Sequence, residues 1–138
     1  MRDETRMLLE SMNRLFEDHC TKEVLDRAET GTFPAALWQA VSEAGVPLAA
    51  LPEAAGGADA EWSDLYAVLR VAGRYAAPIP LAETMLAAWL ASSAGLSTTE
   101  RPMTVGPVRT DDRLTLESDG NAWRLTGRAN RLDRKSVV

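Results

Sequence analysis

Apolar residues recur every three or four positions in four stretches of this chain, after which the rhythm changes to alternation. Over residues 3 to about 28, Leu8, Met12, Leu15 and Phe16 fall on one face while Asp3, Glu4, Arg6, Arg14 and Glu17 take the others. That spacing predicts a single long amphipathic helix. A second, shorter helix is expected in "ETGTFPAALWQAVSEAG". There Thr32 is placed to cap the start, Pro34 suits the first turn, Phe33, Leu37, Trp38 and Val41 form the apolar stripe, and Gly45 ends the helix. In a third, Trp62, Leu65, Tyr66, Leu69, Ala72 and Gly73 lie along one side, with Ala72 and Gly73 small enough to admit another backbone. "APIP" then breaks the helix. The fourth, "LAETMLAAWLASSAG", is expected to turn Leu81, Met85, Leu86, Trp89 and Leu90 inward and to stop at Gly95.

From Met103 the pattern favours strands, in "MTVGPV" and "RLTLE". In "RLTLESDGNAWRLTG", Leu114 alternates with Leu116 and Trp123 with Leu125 around Asp119-Gly120, which predicts a β-hairpin. Two strands alone are marginal in water, and little chain remains to cover their apolar side. The expected fold is therefore mainly α: an N-terminal bundle of about four helices followed by a short, incomplete antiparallel β segment.

Between the second and third helices, "LAALPEAAGGADAEW" raises the choice between a ligand loop and a plain connection. Gly56 and Gly57 could let the backbone approach a phosphate, but no Lys, Ser or Thr follows at the spacing of a phosphate cradle. Turn chemistry favours a connection, with Pro52 stopping an extended run and the glycine pair reversing the chain.

Composition adds bounds. The 138 residues are 46% hydrophobic and 25% charged with a net charge of −5, the balance of a soluble globular chain and not of a nucleic-acid binder. The charge is uneven: residues 1–100 carry seven basic and fifteen acidic side chains, residues 101–138 eight and five. Arginines in exposed strands read as a solvated face before they read as a phosphate site. Cys20 is the one cysteine, so no intrachain disulfide forms, which fits a reducing cytoplasm. The start "MRDETRMLLE" lacks the layout of a secretory signal, and the apolar run Pro78 to Leu90 contains Glu83 and falls short of the roughly 20 residues that a membrane helix needs. The expected location is cytoplasmic.

Candidate chemistry is sparse. His19 and Cys20 are adjacent, and neighbouring helical residues point about 100° apart, so they do not make a nucleophile and base. One His and one Cys cannot complete a structural zinc site either. Trp38, Trp62 and Trp89 are expected in the core or against another domain, whereas Trp123, on a hairpin, is expected to be exposed.

The order of these features carries a resemblance. "LWQAVSEAGVPLAALPEAAGGADAEWSDLYAVLRVAGRYAAPIPLAETMLAAWLASSAGL" resembles the N-terminal helical domain of acyl-CoA dehydrogenases, through the loop "LPEAAGG" and the helix entry "PIPLAET" in the family's order and approximate spacing. "LTLESDGNAWRLTGRANRL" is similar to the first strands of the family's middle β-domain. The resemblance implies residues 1–100 as the helical domain and 101–138 as an incomplete start of the β-domain. It also implies FAD as cofactor and α,β-dehydrogenation of acyl-CoA thioesters, with an oligomeric full-length enzyme. The family's catalytic base would lie beyond residue 138, so no catalytic residue is assigned here. Where the family carries flavin contacts this chain reads "RPMTVGPVRTDD", and no cofactor-binding residue is assigned. The Thr-Glu pair in "STTE" precedes that region and carries no weight, and the closing "DRKSVV" departs from the family and reads as a truncation or an altered reading frame. In the family the early part of the last N-terminal helix borders the acyl-chain pocket, so the resemblance implies Ala82, Glu83 and Leu86 as substrate-pocket residues. The alternative reading is a self-contained, non-enzymatic helical module that pairs with a partner subunit through its uncovered hairpin.

Overall fold

The structure, a computed structural model, describes residues 3–106 and 109–130. The chain divides into two compact units, Met1–Met103 and Thr104–Val138.

The first unit is helical. Its helices are α1 (Asp3–His19), α2 (Lys22–Glu29), α3 (Ala35–Glu43), α4 (Trp62–Arg74) and α5 (Leu81–Ser93), with two 3₁₀ turns at Val46–Leu48 and Glu53–Ala55. The single helix expected over residues 3–28 is thus two. Thr21 breaks it: its backbone is extended (φ −69°, ψ 160°) and its hydroxyl accepts the Val24 N–H, so it caps a new helix. Thr32 does not cap α3, as the sequence suggested. Its N–H instead bonds the Arg27 carbonyl at 3.0 Å, closing α2 beside Gly31 (φ +93°), and Pro34 takes the N-cap position without a side-chain bond. Gly45 and Gly95 end their helices as expected, at φ +70° and +73°.

One core joins these elements. Met12 and Phe16 of α1 pack with Leu37 and Val41 of α3, Leu65, Val68 and Val71 of α4, and Leu81 and Met85 of α5. Phe16 is wholly buried, and its ring stacks on Tyr75 with centroids 6.3 Å apart. A smaller cluster of Leu48, Leu51 and Ala88 gathers Met103. Of the residues expected to admit a neighbouring backbone, Ala72 is buried but Gly73 is exposed, with nothing within 4 Å of where its Cβ would stand. Gly73→Ala therefore adds only helix propensity, and should raise stability by about 0.5–1 kcal/mol in a thermal or urea melt.

The "LAALPEAAGGADAEW" segment folds as a connection. Gly56 takes φ +83°, and a Cβ on Gly57 would stand 1.9 Å from the Leu51 carbonyl oxygen. The close approach that the glycines permit is made by the chain's own backbone. The Asp59 carboxylate accepts the Glu53 N–H and completes the turn.

The second unit holds a two-stranded antiparallel sheet, β1 (Arg113–Asp119) and β2 (Ala122–Arg128). The expected strand at "MTVGPV" is not formed over residues 103–106, and residues 107–108 lie outside the described part. A two-residue turn, Gly120-Asn121, joins the strands one position later than the Asp119-Gly120 reading, with Gly120 at φ +65°. Asp112 is buried at the foot of the hairpin, where its carboxylate accepts the backbone N–H of Arg109 and both N–H groups of Asn130. Every residue of both strands is exposed, Trp123 included.

Candidate functional site

Helix α5 follows Pro78-Ile79-Pro80, whose prolines forbid a continuous helix from α4. Its sequence is apolar nearly all round, so spacing alone does not say which side meets the core. The structure turns Leu81, Thr84, Met85 and Ala88 inward. Leu86, Trp89 and Leu90, expected inward, are 42%, 40% and 43% exposed. One side only of such a helix faces the core, and Thr84, its hydroxyl bonded back to the Pro80 carbonyl, holds the inward place that a purely apolar reading gave to its neighbours.

The three expected pocket residues come together on the outward side. Ala82, Glu83 and Leu86 are all exposed, and their offsets of one and four positions put them on one helical face. Trp62, at the start of α4, reaches this helix: its ring meets that of Trp89 edge to face, centroids 5.9 Å apart at 82°. Trp62 is 49% exposed, so the expectation of a core position holds for Trp38 alone among Trp38, Trp62 and Trp89.

Thr84 was missed by sequence reasoning. Its side chain is wholly buried, its hydroxyl donates to the Pro80 carbonyl at 2.7 Å, and it accepts the Met103 N–H at 3.0 Å. The Trp38 indole N–H donates to the Glu100 carbonyl at 3.0 Å. Together these two side chains strap residues 100–103 onto the helices. The available signal was a lone hydroxyl in an apolar helix, one turn after a proline. Thr84→Val should strand the Met103 amide, cost about 1–3 kcal/mol, and raise the hydrogen-exchange rate of that amide above those of its helical neighbours.

Other chemistry is thin. His19 ends α1 with Nδ1 against the Leu15 carbonyl at 2.9 Å, and half-buried Cys20 has its thiol pushed up from its ordinary pKa by burial, which disfavours the thiolate a nucleophile needs. A cavity of about 260 Å³ lies between His19, Arg27, Phe33 and Leu37 and shares no residue with α5. No group of three metal-ligating side chains occurs among the described residues. No helix among them is long and apolar enough to cross a membrane.

Comparison with known proteins gives a family match and a structural match. The family model described as "Acyl-CoA dehydrogenase, N-terminal domain" matches residues 2–99. Among solved structures, a variant of the Tcur3481-Tcur3483 steroid ACAD is similar at 31% identity with a TM-score of 0.73, over 91% of this chain. This chain spans 40% of that one's length. A search of curated proteins gives no significant match.

Proposed function

We propose a function from the premise that the chain belongs to the acyl-CoA dehydrogenase family: its helical unit supplies one wall of an acyl-CoA cleft. The observation that carries this reading is the outward face of α5, where Ala82, Glu83 and Leu86 stand exposed within the stretch that the family model matches. In this reading the Ala82 and Leu86 side chains of that face orient an acyl tail and keep water from it, beside the Glu83 carboxylate. The reaction assigned to the whole protein is α,β-dehydrogenation of an acyl-CoA thioester. The likeness to a steroid ACAD favours a bulky, ring-bearing acyl group over a slender one.

FAD is the cofactor of that reaction, where it takes up the hydride. No described residue is assigned to it: the Gly56-Gly57 loop is closed against the Leu51 carbonyl by the chain's own backbone. In this reading flavin and catalytic base come from further parts of the protein, the 138 residues are inactive alone, and the full-length enzyme is a cytoplasmic homo- or hetero-oligomer. Residues 1–100 act as the helical domain and 101–138 as the start of a β-domain. The exposed hairpin favours a second reading, a non-enzymatic module that pairs with a partner subunit.

The test is Leu86→Ala in a full-length protein that carries this domain. It should shift kcat/KM toward wider acyl groups by about tenfold, the worth of a few methylenes in an apolar pocket. An unchanged acyl preference counts against the wall. A full-length protein that never retains FAD counts against the enzyme.

A further inference from the structure

We propose that the cavity between α1, α2 and α3 binds a small aromatic carboxylate. Its volume is about 260 Å³. An apolar cavity of about 150 Å³ takes up benzene, so one ring with a short acidic substituent fits here and a long acyl chain does not. Val24, Phe33 and Leu37 supply apolar walls, and His19, Arg27 and Thr32 supply polar ones, the mixture that characterises a small-molecule site. The half-buried Phe33 ring is held against Trp38, centroids 6.3 Å apart, which sets it in place for contact with a second ring. The cavity shares no residue with α5, so it is independent of the acyl-cleft reading.

Charge selects an acid. Residues 1–100 carry seven basic and fifteen acidic side chains, yet among the described residues no carboxylate lines the cavity, whereas Arg27 does. The Arg27 pair with Glu23 is long, 3.9 Å, and exposed, a contact worth little in water and readily exchanged for a ligand's carboxylate. Nearby Asp26 is engaged by Lys22 at 2.6 Å. The Thr32 N–H bonds the Arg27 carbonyl at 3.0 Å, so the residues that carry the two donor side chains are fixed to one another in a closed turn. His19 donates from Nδ1 to the Leu15 carbonyl at 2.9 Å, which holds its ring as a wall of the site.

The test is a titration of the 138-residue chain with sodium benzoate at constant ionic strength, followed by amide and aromatic-ring chemical shifts. Shifts should saturate with a Kd at or below about 1 mM and centre on His19, Thr32 and Phe33. Benzamide, which has the same ring without the charge, should bind at least about tenfold more weakly, as should benzoate to an Arg27→Gln chain. Ala36→Phe, a change at an exposed lining position that places a ring in the cavity, should abolish binding. No saturation below about 10 mM overturns the proposal, as do shifts scattered over arginines elsewhere. Benzamide binding as tightly as benzoate overturns it too, and so does an Arg27→Gln chain that binds like its parent. The benzamide comparison needs no variant, so it decides the matter even where a substitution disturbs α2 or α3.

Discussion

Phe16→Ala should lower the free energy of unfolding by about 3–5 kcal/mol, the usual cost of emptying a fully buried aromatic site. The ring has no exposed surface, stacks on Tyr75 and sits among Met12, Leu65 and Val68. Flanking helices cannot close the hole without pulling α1 off α4, since Phe16 and Met12 are the buried residues by which α1 enters the core. Urea melts followed by helical circular dichroism should show the midpoint falling while the slope stays constant. A loss below about 1 kcal/mol would mean that α1 is not cooperative with the rest of the helical unit.

Gly57→Ala is expected to cost on the order of 3 kcal/mol, although it adds one methyl group in a loop. The added Cβ would meet the Leu51 carbonyl oxygen at 1.9 Å, and Leu51 cannot retreat because its own side chain is wholly buried beside Leu48 and Ala88. The backbone of residues 51–59 has to open, which breaks the bond from the Asp59 N–H to the Leu51 carbonyl. A melting temperature lower by about 10 °C is the expected reading. A variant as stable as its parent would show that the loop relaxes freely and that the close approach has no structural weight.

These residues also show what the sequence discloses and what it withholds. Helix ends marked by a glycine were legible, because Gly45 and Gly95 adopt a backbone that other residues resist. The break at Thr21 was not, since the apolar period runs across it and only the cap geometry interrupts the helix. In α5 nine of thirteen positions are apolar and they fall on all sides, so periodicity carries little orientation, and the inward side was set by contacts from distant parts of the chain. Leu86, Trp89 and Leu90 were misplaced for that reason. The grouping of Ala82, Glu83 and Leu86 on one face follows from spacing alone, whereas their pocket role came only from resemblance. Thr84 escaped notice because its partner, Met103, lies 19 positions away.

The strap formed by Trp38 and Thr84 has a mechanical consequence. Traction on the downstream segment would reach the Met103–Thr84 and Glu100–Trp38 bonds before it reached the last turn of α5. Those two bonds anchor to different helices, so the load divides between α3 and α5.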